Sequence, residues 1–146
     1  AIQDVFKKES IDEYNTFGNI KKTYSITFVL LILFGFLLVS GLYLIGEKFI
    51  VLFLGETWTP SVAVIQILSV LFTMKFISGT LNFIFLIKGK QKLDLFFQIT
   101  QLFIVIFAFK FSSLFDYNFL ETIVLYTILV SIYSVFNLIS SYKHAK

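Results

Sequence analysis

The sequence predicts an all-α, polytopic membrane protein of four transmembrane helices, and three observations carry that prediction. Of its 146 residues 58% are hydrophobic and only 14% are charged, with a mean hydropathy of +0.88. Soluble domains carry about 25% charged residues, so a soluble core could not absorb this much apolar surface. The apolar residues fall in four runs, each near the ~20 residues that a bilayer crossing needs. The lysines gather on the polar segments of one side.

Residues 1–23 are mixed and charged, with Asp4, Lys7, Lys8, Glu9, Asp12, Glu13, Lys21 and Lys22. They read as a cytoplasmic linker, a solvated loop into the first crossing. Ile2, Val5 and Phe6 share one side and could end a truncated helix, and Asn15-Thr16-Phe17-Gly18-Asn19 reads as a turn or weak helix. No apolar signal-peptide core precedes the first crossing. Because the chain begins at Ala1 rather than Met, it is expected to be a piece of a longer protein.

The remainder, residues 24–146, forms the transmembrane segment, with helices expected at 24–46, 61–87, 93–111 and 119–141. The first is uncharged and holds Gly35 and Gly41, which membrane helices tolerate where a neighbour packs closely. Residues 49–54 are too short to span, and either lie at the interface or prolong the first helix. Trp58 opens the second crossing, where an indole anchors at headgroup level. Pro60 suits a helix start, because its missing N–H would be unpaired there anyway. Lys88-Gly89-Lys90-Gln91-Lys92 reads as a tight basic turn. The third crossing carries Asp94, Gln98, Thr100 and Gln101 early and Lys110 at its end, and the fourth is entered through Glu121.

With the N-terminus inside, nine of the 12 lysines fall on the cytoplasmic face, against Lys48 and Lys110 outside and Lys75 within the membrane. That is a positive-inside bias, and it places both termini in the cytoplasm. Net charge is +3, but this placement makes it a topology signal and not a nucleic-acid footprint. There is no Cys, and the single His144 lies in the tail, so neither thiol chemistry nor a zinc site is expected. No phosphate loop, carboxylate pair or Ser-His-Asp set is present; no enzyme, catalytic residue, cofactor or metal is expected.

Polar residues in lipid-buried helices mark the inward faces. In the second crossing, at about 100° per residue, Gln66, Ser69, Thr73 and Thr80 lie on one side, with Lys75, Ser78, Gly79 and Asn82 nearly opposite. One face should pack on neighbours and the other line a wet cavity. Lys75 lies roughly 20 Å along the helix from Lys88. Facing lipid there would cost roughly 2.5–3.5 kcal/mol. It could supply positive charge to a pathway for an anionic substrate, pair with a carboxylate outside this sequence, or snorkel on a shifted helix. The expected substrate pathway comprises Lys75, Ser78, Asn82, Gln66 and Thr73. In the fourth crossing Thr127, Ser131, Ser134 and Ser141, with Asn137 at the edge, form a stripe for helix packing or a cavity wall. Gln98 and Gln101 read as interhelical hydrogen bonds worth ~0.6 kcal/mol each.

Leu52-Phe53-Leu54-Gly55-Glu56-Thr57-Trp58, an apolar helix and then Ile87-Lys88-Gly89-Lys90 resemble the C-terminal part of bacterial polysaccharide flippases. These are the O-antigen (Wzx-type) transporters of the superfamily that includes MATE exporters; the lysine-rich segment 7–22 resembles their loop before this helix pair. The resemblance implies a MATE-like, two-lobe bundle of about twelve helices, of which these four form the C-terminal third. It implies movement of undecaprenyl-pyrophosphate-linked oligosaccharides, O-antigen or capsule repeat units, from the inner to the outer leaflet of the bacterial cytoplasmic membrane. Implied partners are that substrate, membrane lipids, the rest of the transporter chain and polysaccharide polymerase machinery. Lys75 fits an anionic substrate by its chemistry and not by a motif position. The chain departs from the family in lacking the other helices, so its cavity would be incomplete. A cation-coupled multidrug exporter of the same superfamily, which would need an intramembrane carboxylate, and a non-transporting four-helix scaffold subunit are the alternatives.

Overall fold

The computed structural model describes residues 2–145, and of Ile2 the backbone alone. Six α-helices follow in order: α1 (Ile2–Phe17), α2 (Lys21–Leu54), α3 (Ser61–Leu81), α4 (Phe83–Ile87), α5 (Gln91–Leu114) and α6 (Phe119–Ala145). Among the described residues there is no strand. Four helical segments, Lys21–Leu54, Ser61–Ile87, Gln91–Leu114 and Phe119–Ala145, are long and apolar enough to cross a membrane.

The segment expected as a solvated loop is instead helix α1. Phe6, Ser10 and Tyr14 recur at helical spacing on one face; Phe6 and Ser10 are fully buried, while Lys8, Glu9 and Asp12 stay exposed. Gly18 closes α1 at φ 70°, donating its N–H to the Tyr14 carbonyl. The chain then turns back, and α2 begins three residues earlier than expected. Ile20, at its N-cap, offers no side-chain acceptor. The Glu13 carboxylate takes that role, accepting the Lys22 N–H at 3.0 Å and the Thr23 N–H at 2.8 Å. Residues 49–54 prolong α2, which reaches about 50 Å.

Helix α3 packs on α2 along one side and on α6 along another, and α5 packs on α6. The four long helices therefore form a row in the order α2–α3–α6–α5, with α3 and α6 parallel at its centre. At Gly35 an added Cβ would run into the Thr73 methyl, so the missing side chain is what lets α2 approach α3.

Most of the fully buried apolar side chains sit at the end that carries both termini. Phe6, Ile20, Tyr24, Leu81, Ile84, Phe85, Phe97, Leu138 and Ala145 form one cluster there. The Ile20 N–H donates to the Ala145 carbonyl at 2.9 Å, and the Tyr24 and Ser141 hydroxyls share a 2.6 Å hydrogen bond. The long helix expected at 61–87 is broken at Asn82, where a tighter Phe85 N–H to Asn82 carbonyl bond separates α3 from α4. The basic turn follows with Gly89 at φ 65°, and the Lys90 N–H reaches back to the Phe85 carbonyl in a Schellman-type ending. At the opposite end, Asn118 and Glu121 form a reciprocal capping box that starts α6.

Two predictions follow from this packing. Gly35→Ala is expected to destabilise the bundle by about 1–3 kcal/mol through overpacking, and Thr73→Ser, which removes the obstructing methyl, to restore it. Thermal denaturation of both variants and the double mutant in detergent checks this; no rescue would mean the methyl is not the obstacle.

The second concerns Glu13. Burial pushes its carboxyl up, but hydrogen bonds from the Thr23 side chain and backbone and the Lys22 backbone, with the Lys22 charge, hold it below its ordinary value of 4.5. A carboxylate depressed on folding stabilises above its unfolded pKa, and that stability is lost as pH falls through the folded value. Glu13→Ala should cost about 1 kcal/mol at neutral pH, as for a lost cap. The deficit should shrink as pH falls below the ordinary value of 4.5 and the wild-type carboxylate protonates; a pH series of melting curves decides it.

Candidate functional site

Helix α3 is polar on two sides because it has neighbours on two sides and a cleft on a third. Gln66 approaches the Leu42 carbonyl of α2 at 3.5 Å, and Thr73 lies against Gly35. Both belong to the α2–α3 interface. Ser69 and Thr80 turn back onto their own helix, donating to the Gln66 and Phe76 carbonyls.

Lys75, Ser78, Gly79 and Asn82 point the other way, into a polar cleft of about 520 Å³ between α3 and α5. The facing wall is Asp94, Gln98 and Gln101 of α5, which lie on one face at i, i+4 and i+7. Asn137 of α6 forms the floor, and Gln3 of α1 and the rings of Phe83 and Phe97 close the terminal end. The structure thus brings Lys75, Ser78 and Asn82 together, and places Gln66 and Thr73 on a different face. Trp58 stands apart from both, half-exposed in a single 3-10 turn (Glu56–Trp58) at the opposite end of the row.

In the sequence Asp94 lies early in the third crossing, Gln98 and Gln101 read as interhelical hydrogen bonds, and Asn137 stands at the edge of a stripe. The spacing of Asp94, Gln98 and Gln101 was the signal for a shared wall. Asn137 could not be assigned to the cleft without knowing which face of α6 meets α3.

The cleft holds opposite charges and several amides. The Asp94 carboxylate accepts a 2.8 Å hydrogen bond from the Gln98 side chain. Among the described residues no carboxylate pairs with the Lys75 ammonium. The Oδ1 atoms of Asn82 and Asn137 are buried without a hydrogen-bond partner, and Asn137 is only 6% exposed. Both oxygens are enclosed by protein at the edge of the cleft and leave hydrogen-bonding capacity unspent. Tyr133 fixes the wall by donating to the Phe97 carbonyl at 2.7 Å. Among the described residues no group of three His, Cys, Asp or Glu gathers to hold a metal.

Fold and cleft together define a helical protein of the membrane type, with an ionisable polar cleft cut between its apolar spans. No family model matches the chain, and no curated protein or solved structure matches it either.

Asn137→Leu replaces an unpartnered amide with an apolar side chain of similar size. It is expected to raise the stability of the detergent-solubilised protein by about 1–3 kcal/mol, read as an upward shift in melting temperature. A fall would mean that the amide is hydrogen-bonded in solution.

Proposed function

We propose that this chain is the C-terminal part of a lipid-linked oligosaccharide flippase of the polysaccharide (O-antigen, Wzx-type) family. In this reading it lies in the bacterial cytoplasmic membrane with both termini in the cytoplasm. The substrate is an undecaprenyl-pyrophosphate-linked repeat unit carried from the inner to the outer leaflet. The observation that carries the reading is the polar cleft with an unpaired lysine at mid-helix.

A lysine, two glutamines and two asparagines on one open face are costly against hydrocarbon. They are well matched to a hydroxyl-rich, anionic group moving through a wet path. The Lys75 ammonium draws the pyrophosphate, while Ser78, Asn82, Gln98, Gln101 and Asn137 exchange hydrogen bonds with sugar hydroxyls. The remaining helices of the transporter close the path on its open side and rock against this lobe. Membrane lipids surround the apolar faces, and the polymerase machinery receives the product.

One observation favours the second reading, a cation-coupled exporter. Asp94 stands in the cleft beside Gln98, which gives that reading a carboxylate able to bind a coupling ion.

The test is Lys75→Gln in the whole transporter. Translocation of lipid-linked oligosaccharide should fall about tenfold or more, equivalent to ~1.4 kcal/mol, with membrane insertion unchanged. Asp94→Asn should leave translocation largely intact. Loss on Asp94→Asn combined with an unaffected Lys75→Gln protein would favour the exporter. Unchanged transport in both would remove the cleft from the pathway.

A further inference from the structure

Opposite the polar cleft, α2, α3 and α6 enclose a second groove of about 740 Å³. Along α2 its wall is a single stripe at helical spacing: Ser25, Phe28, Ile32, Gly35 and Val39. Lys21, one turn before Ser25, continues the same stripe and is exposed. Tyr24 and Tyr142 flank this end, the Tyr24 hydroxyl turned onto Ser141 and the Leu138 carbonyl, so the groove is almost wholly apolar and the Lys21 ammonium lies one helical turn beyond its end. From Ser25 to Val39 it runs about 20 Å, longer than the ~15 Å depth of one leaflet's hydrocarbon.

We infer that this groove holds one anionic glycerophospholipid, with its phosphate at Lys21 and an acyl chain laid along the α2 stripe. Two features favour a lipid over a docking helix. Membrane helices associate through small and polar residues, and those of the groove are already committed: Gly35 and Thr73 to the α2–α3 contact, and the Ser25 hydroxyl to the Lys21 carbonyl. The charge is placed only at the mouth, where a headgroup lies. Glu13 does not cancel it, because its carboxylate is turned onto the Lys22 and Thr23 N–H groups. The inference stands independently of the polar cleft and of what crosses it.

Native mass spectrometry of the detergent-solubilised chain with added phosphatidylglycerol, or phosphatidylcholine of the same acyl chains, tests it. A single phosphatidylglycerol adduct is expected, about fivefold more abundant than the phosphatidylcholine adduct. Lys21→Gln, an exposed change that leaves the packing untouched, should abolish that preference. Ile32→Trp should reduce both adducts by filling the groove, and Lys110→Gln at the opposite end should change neither. Equal adducts for the two lipids, or a preference that survives Lys21→Gln, would overturn the assignment. So would a protein dimer in place of the adduct, or an equal effect from inorganic phosphate, which would show a headgroup site without a tail groove.

Discussion

The start of α2 and the end of α6 meet, and the remaining arrangement depends on that contact. A helix N-terminus presents unpaired N–H groups and partial positive charge, and a C-terminus the reverse. Here the Ile20 N–H, at the head of α2, donates to the Ala145 carbonyl at the foot of α6. Tyr24 then ties the next turn to Ser141 and Leu138. Helix α1 folds back to finish the joint, burying Phe6 and supplying the Glu13 carboxylate to the Lys22 and Thr23 N–H groups. In a chain whose long helices are mostly apolar, these directional bonds set the register.

Cinching the row at one end leaves room between the helices elsewhere. The α3–α6 seam is continuous, and on either side of it a groove opens, one polar and one apolar. Their chemistry differs because α3 and α6 each turn unlike faces to the two sides. Lys75, Ser78 and Asn82 go with Asn137 on one side; Met74 and Ile77 go with Leu138 and Ile139 on the other. The break at Asn82 lies at the edge of the polar cleft, and the next residue, Phe83, sits under the Lys7 ammonium, 4.4 Å from its ring centre. Cleft, break and α1 are therefore mechanically adjacent.

An ionisable group at mid-helix is tolerable only where something other than hydrocarbon meets it. The polar cleft supplies that setting with amides, and its one carboxylate, Asp94, is engaged by Gln98 and not by Lys75. The oxygens of Asn82 and Asn137 are buried without partners at its edge. This combination of an unpaired cation, a carboxylate held by Gln98 and several amides is the chemical basis on which the transport reading rests.

The four spans were legible in the sequence because length and hydropathy alone decide whether a helix suits a bilayer. Helical periodicity separated the two polar faces of α3, and the structure keeps Lys75, Ser78 and Asn82 apart from Gln66 and Thr73. Helix α1 was missed because its polar residues outnumber its apolar ones, and Phe6 becomes a core residue only when distant helix ends cover it. The capping partner Glu13 lies outside the helix it caps, where local sequence rules do not look. Which helix faces the Lys75 side was beyond reach, since the order α2–α3–α6–α5 differs from the order in the chain. Tertiary packing alone joined Asp94, Gln98 and Asn137 to Lys75, because a helix's period fixes which residues share a face but not which neighbour that face meets.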